Sequence, residues 1–241
     1  MPPSFESAPF ESFSATQLDA FKQPDGKFHL FNNIICPFGQ RALWTAIEAK
    51  APFHVVEVSL AAMPPAYIDA FNRYGTVPFA LSNGHPIFES AIIAQYIDTK
   101  YGGGALFRHN NPEEAALAQL ATAKFEVGPF YKTLGTASED NVAELKDTLG
   151  DVERIYRENA AAFRTKGPFL LGEQLSSAEI LTMPFLFRFD ILLKHYRNLD
   201  LLPSYPLLAA ALHAAKARAA FQESVREPQY YIDAYAKYAN K

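Results

Sequence analysis

Among its 241 residues the chain has one cysteine, Cys36. An intrachain disulfide is therefore impossible, and the even cysteine count of a stapled secreted scaffold is missing. A reducing compartment follows as the expectation. Long apolar runs are also absent, since no stretch approaches the roughly 20 residues that a membrane-spanning helix needs. No cluster of Lys and Arg stands out, and 22 basic against 26 acidic residues give a formal net charge of -4. Such a chain has no overall attraction to phosphate backbones or anionic lipid, so neither nucleic acid nor membrane is an expected partner. The six histidines, at positions 29, 54, 85, 109, 195 and 213, show no metal-ligand spacing, and no metal is expected. The phosphate-binding loop, the dinucleotide glycine fingerprint and the Gly-x-Ser-x-Gly elbow are all missing. The opening residues Met1-Pro2-Pro3-Ser4-Phe5-Glu6 carry no basic region or apolar stretch, and the first positive charge is Lys22. The cytoplasm is the expected location.

What is present is ordinary globular material, 49% hydrophobic and 20% charged, enough to bury a core in one large or two modest domains. Residues 1–26 mix Ser, Pro and acids with Phe5, Phe10, Phe13 and Phe21 at a spacing too irregular to specify a helix face. They read as an N-terminal arm, either laid against the folded body or partly disordered. From Lys27 the pattern tightens. Phe28 to Phe31 predicts a strand, Pro37 opens a helix carrying Ala42, Leu43, Ala46 and Ile47, and Phe53 to Val58 predicts a second strand. A short helix is expected after Pro64-Pro65. Val77 to Leu81 and Pro86 to Phe88 flank Asn83-Gly84, a hairpin signal, and a helix capped by Ser90 ends before Gly102-Gly103-Gly104. The order is βαβαββα over residues 27–101, with 102–111 as a linker. Residues 112–241 show only helical patterns: Pro112 to Leu134, Glu139 to Phe163, a helix opened by the capping box Ser176-x-x-Glu179 and running to about His195, then Pro206 to Val225 and Pro228 to Ala239.

Cys36 follows a predicted strand and loop and directly precedes Pro37 and a helix, which sets its sulfur near unsatisfied N–H groups and the positive end of the helix dipole. Thiols in that setting have pKa values of roughly 3.5 to 7.5 instead of about 8.5. A single cysteine is more often a small buried hydrophobe, so the helix-start position is what favours a reactive thiolate here. No second cysteine lies nearby to displace a thiol bound to Cys36, so an external thiol must do so. Tyr74-Gly75-Thr76-Val77-Pro78 holds Val77 extended before a proline that a tight turn accommodates as cis, and the Val77 backbone there can pair with an extended peptide. The plain alternative is a turn before a strand. Glu89-Ser90 at a helix start offers a hydroxyl and N–H groups to a carboxylate and an acid to an amine, the two halves of an α-amino acid head group. Ser90 alone would read as a simple cap.

Taken together, Cys36-Pro37-Phe38, Val77-Pro78, Glu89-Ser90 and the Ser176-x-x-Glu179 box in a helical half resemble the glutathione transferase superfamily, and most closely its omega class, over residues 27 to about 225. The resemblance implies a thioredoxin-like α+β N-terminal domain followed by an all-α C-terminal domain, usually as a homodimer. It implies glutathione as co-substrate, with Cys36 as the catalytic residue. Phe38, Val77, Pro78, Glu89 and Ser90 are its implied binding set, Val77 pairing with the cysteinyl backbone and Glu89 with Ser90 holding the γ-glutamyl end. Three positions depart from the family pattern: Ala61 stands where omega enzymes commonly have Lys, Asn72-Arg73-Tyr74-Gly75 replaces Asn-Pro-x-Gly, and the box ends in Glu179 instead of Asp. The expected activity is a glutathione-dependent thiol transferase or reductase of the deglutathionylating or dehydroascorbate-reducing type. The alternatives are a non-catalytic binding module on the same fold and glutathione-dependent aryl-ether cleavage. Phe125, Phe130, Phe187 and Arg188 are expected to line the pocket of the second substrate.

Overall fold

The computed structural model describes residues 5–163 and 166–239, so the first four residues of the expected arm and the last two of the chain lie outside the described residues. The chain divides into two compact units, Met1–Gly104 with Glu223–Val225, and Ala105–Gln222 with Arg226–Lys241.

The first unit is built on a five-stranded sheet. Its elements are β1 (Glu6–Pro9), a 3-10 turn at Phe10–Ser12, α1 (Ala15–Ala20), β2 (Phe28–Asn32), α2 (Pro37–Glu48), β3 (Phe53–Glu57), α3 (Pro65–Ala70), β4 (Phe79–Ser82), β5 (His85–Ile87) and α4 (Ser90–Tyr101). From β2 to α4 the order is βαβαββα, the thioredoxin-like arrangement. The strands lie in the order β1-β3-β2-β4-β5, with β3 parallel to both β1 and β2 and with β4 antiparallel to β2 and β5. Asn83 and Gly84 turn the β4–β5 hairpin, both with positive φ, and a Cβ at Gly84 would strike the Lys22 backbone.

Side chains alternate across β2 as a strand period of two requires. Phe28 and Leu30 enter a cluster with Leu43 and Ala46 of α2 and Ile93 and Ile97 of α4. On the opposite face Phe31 joins Phe10, Val56, Tyr67 and Phe79. Both faces are covered, and β2 is buried along its whole length.

Of the two expectations for the arm over residues 1–26, the described part from Phe5 onward lies against the folded body: Glu6–Pro9 pairs with β3 as the edge strand and Phe10 is a core residue at 4% exposure. Ser14 and Gln17 form a capping box on α1. The irregular Phe spacing arises because Phe5 precedes a strand, Phe10 opens a 3-10 turn, Phe13 closes it and Phe21 caps the end of a helix, so no single period describes them.

The second unit is all helical: α5 (Pro112–Lys124), α6 (Gly128–Gly135), α7 (Glu139–Phe163), α8 (Ser177–Arg197), α9 (Pro206–Ala217), α10 (Ala219–Glu223) and α11 (Pro228–Ala239). Two expected long helices are each broken. Pro112 to Leu134 stops at Phe125, where the backbone leaves the helical region ahead of Gly128-Pro129. Pro206 to Val225 stops at Arg218, whose backbone is extended. The α8 capping box closes as the sequence reads: Glu179 Oε2 accepts from Ser176 N at 3.1 Å and from Ser176 Oγ at 2.8 Å. No helix among the described residues is long and apolar enough to cross a membrane.

Candidate active site

Cys36 is delivered to its position by a loop anchored on an asparagine. Asn33 Oδ1 accepts from Ile35 N at 3.0 Å, its Nδ2 donates to the Val58 carbonyl at 2.8 Å, and its own carbonyl accepts from Cys36 N at 3.0 Å. The turn is thereby tied to the end of β3. Cys36 becomes the N-cap of α2, with Pro37 at the first turn, where its missing N–H costs no helical bond. A Cβ at Gly39 would collide with the buried Asn32 side chain, so glycine lets α2 start this close to the end of β2. The Cys36 side chain is half-buried, with Sγ 3.7 Å from the Val77 carbonyl oxygen.

The Val77–Pro78 peptide bond is cis. The turn before it is braced from below by two buried residues, Asn72 and Tyr67. Asn72 Nδ2 donates to the Thr76 carbonyl at 2.8 Å and to its hydroxyl at 3.2 Å, and Asn72 Oδ1 accepts from Tyr74 N at 3.0 Å. The Tyr67 hydroxyl donates to the same Thr76 carbonyl at 2.7 Å. Burial pushes the Tyr67 hydroxyl far above its usual titration range, so it remains a donor.

Glu89 is the N-cap of α4 and Ser90 its first residue, one position on from the cap that the sequence suggests for Ser90. The Glu89 backbone has φ of 64° and ψ of 122°, a strained conformation for a residue with a side chain, costing about 1–3 kcal/mol. Its carboxylate side chain is exposed. Ser90 is buried and its hydroxyl accepts from Arg41 Nη1 at 3.2 Å, while the Arg41 guanidinium lies 5.1 Å from the centre of the Phe38 ring.

These segments meet around one cavity of about 210 Å³ lined by Phe38, Thr76, Val77, Pro78, Glu89 and Ser90. All five residues of the implied glutathione set are among them. Cys36 adjoins the cavity through Val77. The walls supply an extended backbone at Val77, a helix N-terminus with a hydroxyl at Ser90, and a carboxylate at Glu89. Together they can take an extended peptide whose end carries both a carboxylate and an amine. No group of three or more His, Cys, Asp or Glu suited to a metal ion occurs among the described residues.

The residues expected to line the second-substrate pocket are packed inside the second unit. Phe125, Phe130, Phe187 and Arg188 are all buried, Arg188 completely. Phe130 stacks on Phe189, Phe187 meets Phe221 and Tyr231 edge-on, and Arg188 donates to the Pro184 carbonyl and covers the Tyr231 ring. Their helical spacing reflects the core of the second unit. Sequence reading missed Asn72, Tyr67 and Arg41 as supports of the site. For Asn72 the signal was available, since Asn followed by Gly three residues later marks a structured turn. Ala61 is exposed in the bend after β3.

A family model described as glutathione S-transferase, N-terminal domain, matches residues 35–100, and one described as glutathione S-transferase, C-terminal domain, matches residues 120–224. The chain is 27% identical to the chloroplastic glutathione S-transferase L2 of Arabidopsis thaliana over 234 residues, which covers 94% of this chain and 77% of that one. Its structure resembles the trimeric glutathione transferase TDR1 of Leishmania with a TM-score of 0.81 and 27% identity over 89% of this chain. The chain spans about half of that protein, 49% of its length. It also shares the fold of glutathione transferase Omega 1C from Trametes versicolor, with a TM-score of 0.74 and 19% identity over 89% of this chain and 97% of the other.

Proposed function

The chain belongs to the glutathione S-transferase family, and we propose that it is a thiol transferase or reductase that uses Cys36 as a nucleophile toward glutathione adducts. One observation carries this reading: Sγ of Cys36 lies 3.7 Å from the Val77 carbonyl, beside the cavity that Val77 shares with Phe38, Pro78, Glu89 and Ser90. Glutathione bound there pairs its cysteinyl backbone with Val77 and sets its γ-glutamyl carboxylate at Ser90 and the start of α4. Its α-amine faces Glu89. The glutathionyl sulfur then lies next to Cys36.

In the first half-reaction the Cys36 thiolate attacks the glutathionyl sulfur of a mixed disulfide. A Cys36–glutathione disulfide forms, and the substrate leaves as its own thiolate. In the second, an external glutathione thiolate attacks that disulfide, oxidised glutathione departs and the Cys36 thiolate is restored. The α2 N-terminus favours the anionic sulfur in each half. Simple conjugation of electrophiles is weak in this scheme, because a cysteine at this position captures glutathione.

The external thiol requires a reducing compartment such as the cytoplasm, and a homodimer is the expected assembly, to be checked against a trimer by sedimentation. The central test is intact-mass analysis after mixing with oxidised glutathione. A single glutathionyl adduct mapped to Cys36 and removed by reduced glutathione is expected; an unmodified protein would overturn the mechanism and leave a binding module.

A further inference from the structure

Two of the six scattered histidines meet in the fold. His29 of β2 and His54 of β3 face each other in the strand register, and Glu6 of β1 faces His54 from the other side. His29 Nδ1 lies 3.2 Å from His54 Nε2, and Asp25 Oδ2 lies 3.2 Å from His29 Nε2. The negative charge of Asp25 beside Nε2 favours the tautomer with its proton there, although the two are not aligned as a hydrogen bond, and this leaves Nδ1 to accept from His54 Nε2–H. Both imidazoles are thereby held neutral in one chain. Phe21, from the end of α1, stacks on His29 with centroids 4.5 Å apart and touches His54 at 5.0 Å. A cavity of about 240 Å³ beside His54 is lined by Glu6, Ser7, Ala8, Phe13, Lys27 and Val55.

The same N-terminal segment reaches the ligand turn through another of its aromatic rings, Phe10. Phe10 meets Tyr67 at 5.9 Å and Phe71 at 6.0 Å, and Tyr67 is the residue whose hydroxyl holds the Thr76 carbonyl. The segment precedes the stretch matched by the family models, which begins at residue 35.

We propose that residues 5–25 form an acid-sensitive latch: docked over the His29–His54 pair, they hold the Thr76–Pro78 turn in its ligand-accepting shape through Phe10 and Tyr67. The second half of this statement rests on the glutathione reading of the cavity. The direction of the pH effect follows from burial. Burial, then His29 and Lys27, pull His54 down to about 4, against weaker opposite pulls from Asp25 and Glu6. Burial also lowers His29, outweighing Asp25 beside it. A histidine lowered when covered takes up its proton on release, so docking is full above the ordinary value and weakens as pH falls toward the lowered one. For His54 alone, moving between 6.5 and about 4, the released state gains about 30-fold by about pH 5.

The test is amide hydrogen exchange of the full chain between about pH 7 and 5, corrected for intrinsic rates, in the wild type, His54→Gln and Phe10→Ala. Gln retains an N–H donor for His29 and does not titrate. In the wild type, opening of the β1 amides that pair with β3 is expected to rise about 20-fold or more between pH 7 and 5, accompanied by opening at the Gly75 amide, which donates to the Asn72 carbonyl. In His54→Gln the rise shrinks to the part due to His29, and in Phe10→Ala the Gly75 amide opens already at pH 7. An opening constant independent of pH, an equal rise in His54→Gln, or a Gly75 amide that stays protected while β1 opens would each overturn the latch. Glutathione affinity measured by calorimetry across the same range is expected to fall with β1 opening. Failure to bind glutathione at any pH overturns only the ligand reading, since the exchange experiment contains no glutathione.

Discussion

Glu89 and Glu179 both sit at the start of a helix, yet they are treated in opposite ways. Glu179, in the first turn of α8, is wholly buried and saturated: Ser176 N, Ser176 Oγ, Leu170 N and the Tyr156 hydroxyl all donate to it. Burial and the neighbouring Glu179 and Glu153 carboxylates push the Tyr156 hydroxyl well above its usual range, so it stays protonated and donating. Glu89, at the N-cap of α4, has an exposed side chain, makes no side-chain capping bond and holds a strained backbone at the rim of a cavity. A carboxylate whose acceptor sites are filled by its own chain holds the fold. One held open at a structural cost is placed for something that comes from outside.

Substitutions can break or sharpen that contrast. The largest effect is expected beside the open site: Cys36→Ser should lower glutathione-dependent disulfide exchange by about 1,000-fold or more while leaving the melting temperature nearly unchanged, and retention of most of the activity would sink the covalent mechanism. Next, Glu179→Ala strands three buried donors besides the Ser176 hydroxyl and should cost about 3–5 kcal/mol in urea unfolding. A loss below about 1 kcal/mol would mean that the saturated carboxylate is not structural. On the other side of the comparison, Glu89→Ala should raise the KM for glutathione about 10- to 100-fold, the loss of a charge-assisted bond, with stability changed by no more than about 0.5 kcal/mol. If it instead destabilises the protein while the KM stays constant, the contrast between the two glutamates is wrong. Asn72→Ala, which removes one of two donors from the Thr76 carbonyl, should raise the KM about tenfold with little change in kcat. Smallest of all, Lys132→Ala breaks an exposed pair with Glu144 at 2.8 Å and should shift stability by less than about 1 kcal/mol.

The legible parts of the molecule are those whose signal is local. The capping box at Ser176 and Glu179, the Asn83–Gly84 hairpin and Pro37 after Cys36 each act within a few residues, and each stands where the sequence puts it. Phe125, Phe130, Phe187 and Arg188 mark the limit of a pattern, because aromatic residues at helical spacing look alike whether they line a cavity or a core. Only packing partners distinguish the two. Pairing of β1 with β3 had no local cue either, since parallel strands join residues far apart along the chain and no turn announces their register.

By itself, then, the sequence determined the order of the elements from β2 to α4, the helix-start position of the single cysteine and the absence of a second one. Those properties depend on neighbours within a turn or two and on counting. Tertiary structure alone decided that Phe38, Val77, Pro78, Glu89 and Ser90 share one cavity. It also decided that His29 meets His54 under Phe21. Both meetings depend on which strands lie side by side and in what register, a choice made by burying both faces of β2 and spelled out in no short stretch of the chain.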